Sequence, residues 1–363
     1  MSRSTPLRGV HEALGATLTD FAGWLMPLRY GSESVEHNAV RRAAGLFDLS
    51  HMGEIFVTGP QAAEALDYAL VGHLSALEPG RARYTMIVDT EGGVLDDLIV
   101  YRLAPEEFMV VANASNSPRV AAELAGRAKG FDAVTDDRSE GYALVAIQGP
   151  RSAEILAGLT DADLGGLRYY AGLPASVAGR EALIARTGYT GEDGFELFVA
   201  SGDAEAIWCA ISETGASHGL IPAGLSARDT LRLEAGMPLY GNELSAALTP
   251  FDAGLGRVVR FDKPGDFVGR AALEPLRDVP PGRRLVGLVT NGRRVPRHGY
   301  PVVAAADGAV VGEVTSGAPS QSLGRPIAMA YVDNGLSSGL AVDIRGSREP
   351  VEVVALPFYR RTQ

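Results

Sequence analysis

The sequence predicts an α+β protein: modules of antiparallel sheet with helices on one face, closed by a small β-rich domain at the C-terminus. Three observations carry this expectation. Strand-like runs pass repeatedly through a short turn into helices with one apolar face. A proline-rich, charged stretch, "EPLRDVPPGRRL", changes the texture near residues 274–285. Short β-like runs fill the chain after it. With 363 residues, 46% of them hydrophobic, there is material for two or three cores at roughly 150 residues per domain.

Taken in order, "EIFVTGPQAAEALDYAL" runs an alternating strand into Gly59-Pro60. A helix follows with Ala62, Ala65, Leu66, Ala69 and Leu70 on one face. "ALVAIQGPRSAEILAGL" repeats the pattern around Gly149-Pro150, with Ile155, Leu156 and Leu159 on the buried side. Proline suits a first helical turn, where its missing N–H has no intrahelical partner. "FELFVASGDAEAIWCAI" makes a third such unit, and whether the likeness reflects a duplication stays open. "PAGLSARDTLRLEAGMPLYGNEL" has helical periodicity from Ser226. Beyond the linker, "RLVGLVT", "YPVVAAADGAVVGEVTS", "IAMAYV", "LAVDIRG" and "PVEVVALPFY" suggest a small barrel or sandwich.

Composition narrows the function. The formal net charge of −11 argues against a general nucleic-acid binder. No apolar run approaches the ~20 residues of a membrane span, and "MSRSTPLRGVHEALG" has no apolar signal core. A single cysteine, Cys209, excludes an internal disulfide framework and a multi-cysteine zinc site, so a reduced cytoplasm is the expected compartment. None of the six histidines forms an H-E-x-x-H pair, no P-loop or dinucleotide fingerprint occurs, and no metal is expected.

The carboxylates carry more information. "GGVLDDLIVYR" places Asp96 and Asp97 at the start of a strand, where neighbours point to opposite faces. One can face a pocket while the other caps or is solvated; two solvated turn acids is the plainer alternative. "RTGYTGEDGFEL", residues 186–197, looks like a phosphate cradle, yet Glu192, Asp193 and Glu196 sit inside it. Glu196 lies in a strand between Phe195 and Leu197, an acid in apolar surroundings that needs donors. A flat heterocycle with an amino group beside a ring N–H supplies two parallel ones, so a pterin-like ring fits better than a phosphate. Arg228 falls in the first turn of its helix, where the dipole does not favour a cation, and a surface role stands beside a functional one. His51 in "FDLSHMG" reads as a structural imidazole near a turn. "GASHG" imitates a nucleophile elbow around Ser217, but a helix precedes it, so it reads as a helix C-terminal turn.

"DFAGWLMPLRY", "GLFDLSHMGEI", "GGVLDDLIVYR", "RTGYTGEDGFEL", the Arg228 helix, "VGEVTSG" and the terminal "LPFYR" together resemble the glycine cleavage T-protein family. The likeness runs from about Pro6 to Arg361. It implies a three-domain cloverleaf around a central folate channel. Residues 6–273 would form the folate-binding region, as two α+β modules of which the first is discontinuous, and 281–361 the C-terminal β-barrel. It implies an aminomethyltransferase that passes the methylene carbon from dihydrolipoyl H protein, usually acidic in this family, to tetrahydrofolate. By motif match Asp97 is the catalytic carboxylate, Glu196 pairs with the pterin edge, and Arg228 and Tyr359 contact folate. Tyr84, Tyr101, Asn113 and Tyr189 resemble channel-lining residues. Leu25 and Arg29 stand where the family is often more polar or carries glutamine, which bears on partner contacts. Relatives with other roles are a folate-dependent demethylase of a small methylated substrate and a noncatalytic folate-binding iron–sulfur assembly protein. The latter carry a cysteine motif, whereas Cys209 lies in a helical pattern.

Overall fold

A computed structural model describes residues 2–361. The chain divides into two compact units. The first comprises residues up to Ile87, Asp97–Arg228 and Lys263–Phe267; the second comprises Val88–Asp96, Asp229–Asp262 and Val268 onward. Among the described residues no helix is long and apolar enough to cross a membrane.

In the first unit a six-stranded sheet has the spatial order Gly172–Val177, Arg180–Ala185, Gly194–Ala200, Tyr142–Gln148, Ala44–Asp48, Leu220–Pro222. Only its last pair is parallel; the strands beside Gly194–Ala200 are antiparallel to it. Period-two alternation sends Phe195, Leu197 and Val199 into one core with Ile155, Leu156, Ile207, Trp208 and Ile211 of two helices. Full burial of each such side chain contributes about 1.5–3 kcal/mol. Glu196 and Phe198 therefore face the other way, and Phe198 meets Tyr101 edge to face. A second sheet orders Ala82–Val88, Val94–Ala104, Glu107–Ala112, Gly53–Thr58 and Val134–Asp137.

All three strand–turn–helix units form. Gly59 and Gly149 have φ of +126° and +133°, and a Cβ on either would meet a backbone carbonyl oxygen at 2.6 and 2.5 Å. The helices begin at Ala62 and Ser152, two residues beyond the prolines. Pro60 and Pro150 thus sit inside turns closed by Ala62 N–H to Gly59 and Ser152 N–H to Gly149, both 3.0 Å, rather than in the first helical turn. The fixed proline φ suits the second position of such a turn. The first helix ends under Lys263, whose buried ammonium donates to the carbonyls of Asp67 (2.6 Å), Leu70 and Gly72 (2.8 Å). That lysine replaces the missing donors at a helix C-terminus and ties in a distant segment.

The second unit contains a closed barrel in the order Arg283–Thr290, Arg325–Asp333, Val310–Ser320, Pro301–Ala304, Leu340–Ile344, Ser347–Val354. Closure settles the choice between barrel and sandwich, and it removes exposed sheet edges. Val286, Leu288, Val302, Val314, Ala328, Ala330 and Val342 fill its interior. Arg232 is buried beside it, donating to Glu243 at 2.9 Å and to Ser316 Oγ at 2.7 Å. Burial without such partners would cost several kcal/mol, so this arginine is a structural cation.

Candidate active site

Asp97 lies near the start of the strand Val94–Ala104, and the pleat puts Asp96 and Asp97 on opposite faces. Asp97 is half-buried. Its Oδ2 accepts from the Tyr84 hydroxyl at 3.0 Å, and its Oδ1 accepts from Asn113 Nδ2 at 2.8 Å. The same Nδ2 reaches the Asp97 carbonyl at 3.2 Å, which locks the amide orientation. The Tyr84 phenol is pushed well above its ordinary value, by burial first and by Asp97 second, so it stays a donor. Asp96 is fully buried, which corrects the expectation of a solvated acid. Of the pair, Asp96 is shielded from solvent while Asp97 stays partly exposed.

Glu196 is nearly buried on the strand Gly194–Ala200. Its Oε2 accepts from Thr187 Oγ1 at 2.5 Å, and Thr187 is in turn 2.8 Å from the Tyr101 hydroxyl. Burial raises the Glu196 carboxyl pKa, opposed by the Thr187 hydroxyl, the Arg228 charge and the Tyr101 hydroxyl. The Arg228 guanidinium lies over the Tyr189 ring, 4.7 Å from its centroid, a cation–π contact that orients it. The helix Leu225–Glu234 carries Arg228 near its start, so fixing this charge against the dipole has a visible partner set. Tyr170 joins the two acidic positions. Its phenol is pushed up by burial first, then by Tyr169, Glu196 and Asp97. Its φ of +56° is unusual for a bulky residue and marks local backbone strain.

The loop between them uses its glycines for a different purpose from a phosphate cradle. Gln148 is buried; its Nε2 donates to the Thr187 carbonyl at 3.1 Å and its Oε1 accepts from Thr190 at 2.9 Å. A Cβ on Gly188 would stand 2.0 Å from Gln148 Oε1, and one on Gly194 2.6 Å from Nε2. The other loop acids are held internally: Asp193 pairs with Arg186 at 2.6 Å and Glu192 with Arg41 at 2.9 Å. Glu196 alone among the three lacks such an ion pair at hydrogen-bond distance and takes hydroxyl donors instead. His51 is buried, edge-on to Phe21, and its Nδ1 has no hydrogen-bond partner among the described residues. Burial first and Arg228 second push it down to about 4, against Asp48, so it is neutral near pH 7. Tyr359 belongs to the second unit, where its N–H donates to the Glu234 carbonyl at 2.8 Å.

Two family models cover most of the chain. The GCVT N-terminal domain matches residues 7–263, and the glycine cleavage T-protein C-terminal barrel domain matches 283–360. An aminomethyltransferase of Streptomyces coelicolor is 68% identical, covering 99% of this chain and 98% of that protein. One from Saccharopolyspora erythraea is 65% identical with the same coverage.

The chain belongs to the glycine cleavage T-protein family.

The crystal structure of the glycine cleavage system aminomethyltransferase T from Bartonella henselae superposes on it with a TM-score of 0.93. The two chains are 37% identical, and each is covered completely. As a T-protein family enzyme it catalyses aminomethyl transfer in glycine cleavage. Within this family frame, sequence reasoning missed Thr187, Gln148 and Tyr170. Hydroxyls beside glycines in "RTGYTG" hinted at the first. Nothing near Gln148 in sequence announced a loop about 40 residues away, because register alone brings them together.

Proposed function

We propose that Glu196 and Arg228 receive the pterin ring of tetrahydrofolate, with Tyr359 as a further folate contact, and that Asp97 is the catalytic carboxylate. Lipoylated H protein delivers the aminomethyl group. The methylene carbon passes to the two folate nitrogens, which lose two protons. These protons leave with the amino group as ammonia and with the sulfur as thiol, giving 5,10-methylenetetrahydrofolate. Residues 6–273 carry the folate site and 281–361 the barrel, and the enzyme works in the cytoplasm.

The observation that carries this reading is the contrast between the two acids. Asp97 is held at both oxygens by neutral donors, Tyr84 and Asn113, and half-exposed, so it is a fixed negative charge. Positive charge grows at the reacting carbon and nitrogen as the C–N and C–S bonds break, and a preorganised carboxylate stabilises it. Glu196 accepts from Thr187 and carries no ion pair at hydrogen-bond distance among the described residues, which suits the paired donors of an aminopyrimidinone edge. Tyr101 acts behind Thr187, while Tyr189 and Tyr84 wall the two ends.

The test is an assay in the glycine-synthesis direction with lipoylated H protein, ammonia and 5,10-methylenetetrahydrofolate. Turnover that requires all three supports the reading, and its absence defeats it. Glu196→Gln presents a donor to donors, so tetrahydrofolate affinity measured by calorimetry should fall by ~2–5 kcal/mol. Unchanged affinity would remove the pterin role.

A further inference from the structure

Oε2 of Glu196 accepts from Thr187 Oγ1 at 2.5 Å, with the Tyr101 hydroxyl close behind. Thr187 carries one hydroxyl proton, and a carboxylate can only accept, so that proton goes to Glu196. The Tyr101 hydroxyl, 2.8 Å from Thr187 Oγ1, is therefore the donor of that pair, with Thr187 and Glu196 as its two acceptors. Both hydroxyl protons thus point toward Glu196. Tyr101 and Thr187 are both about 1% exposed, so water does not substitute for either donor. The backbone of Thr187 is placed separately, by Gln148.

We propose that Thr187 is a positioning residue, which with Tyr101 forms a hydroxyl relay that pins Oε2 of Glu196 and keeps the carboxylate turned for its ring ligand. This rests on the assignment of Glu196 to the pterin. The groups facing Glu196 are Arg228 from its helix, Tyr101 from the neighbouring sheet, Tyr170 and Thr187; its register neighbours Ala146 and Ala185 carry no charge. A proton on Glu196 competes with a ligand that brings donors, so affinity falls as pH drops through the carboxyl's titration. Removing a hydroxyl donor raises that titration further and moves the loss of affinity to higher pH.

The experiment uses the full chain and tetrahydrofolate, with Kd measured calorimetrically from about pH 5 to pH 8.5, and kcat at saturating folate. Thr187→Val preserves shape and removes the hydroxyl. It should weaken binding ~10-fold near neutrality, shift the pH midpoint upward and leave kcat nearly unchanged. Thr187→Ser should restore both Kd and midpoint. Tyr101→Phe, which keeps Thr187 intact, should shift the midpoint the same way by less, and it stands in if the valine variant does not fold. Unchanged Kd and midpoint in Thr187→Val overturn the relay, as does weaker binding without a midpoint shift or without rescue by serine. Glu196→Gln separates the two levels. If it binds tetrahydrofolate like the parent, the pterin assignment fails and the relay with it; if it binds weakly while Thr187→Val is unaffected, only the relay fails.

Discussion

Asp96 and Asp97 are neighbours in sequence with different surroundings, and their substitutions should separate accordingly. Asp97→Asn keeps shape and both donors' positions but removes the charge, so kcat should fall by on the order of 10²–10³ while tetrahydrofolate Kd changes little. Asp96→Asn should show itself in thermal unfolding and much less in kcat, because Asp96 is fully buried on the opposite face. Equal losses of kcat would contradict the strand-face argument. Glu54 is another buried acid. Its Oε1 is unpartnered among the described residues, and burial first and Asp137 second push the carboxyl up to about 8. Its folded-state value lies above the unfolded one, so the folded chain holds a proton that the unfolded chain releases. Stability should therefore fall as pH rises from the ordinary carboxyl range to about 8, and flatten above. Glu54→Gln should lose that slope, which thermal melts from about pH 5 to pH 9 would show. Identical slopes in parent and variant would exclude Glu54 as the source.

At the scale of elements, the loop 186–193 was legible as a glycine-rich turn followed by a strand, and Glu196 as an acid in an apolar wall. The reason for its glycines was not legible. Gln148 lies on the strand paired with Gly194–Ala200 and reaches across to fix Thr187 and Thr190. Gly188→Ala would force a methyl against Gln148 Oε1, so it should destabilise the protein by ~1–3 kcal/mol and weaken folate binding. Adding Gln148→Ala should recover part of the stability lost to the Gly188 change, a non-additivity that a denaturant double-mutant cycle would measure. Strict additivity would mean the two side chains do not compete for one space. The strand–turn–helix units followed from alternation and helical spacing, because those periods depend only on local geometry. The start of each helix did not, since a turn closed at Gly59 or Gly149 draws proline out of the helix.

For the whole molecule, charge sets the terms on which an acidic partner can approach. At −11 the chain repels such a partner at long range, so docking needs a local cationic surface. Arg293, Arg294, Arg297 and His298 cluster on an exposed turn of the barrel unit. They are not fully available: Arg294 is 3.4 Å from Glu349, and His298 Nδ1 is 2.7 Å from the Thr315 carbonyl. If this turn docks H protein, replacing the three arginines with serine should weaken that association and flatten its dependence on ionic strength, with folate Kd unaffected. Exposed charges are screened beyond ~10 Å at 0.1 M salt, so titrations from low to moderate salt carry the signal. A triple variant that binds H protein like the parent at every salt concentration would place docking elsewhere.

The sequence by itself determined the α+β class, the β-rich C-terminal part, the opposed faces of Asp96 and Asp97, and the family to which the chain belongs. Each rests on local periodicity or on long contiguous motifs, both of which are written along the chain. Tertiary structure alone decided the strand order of the C-terminal barrel, that Asp96 is buried, and that Gln148 supports the 186–193 loop. It also decided that Thr187 and Tyr101 stand behind Glu196 while Arg228 lies over Tyr189. These depend on register and packing between segments tens of residues apart, and side-chain chemistry leaves such pairings open until the backbone has folded.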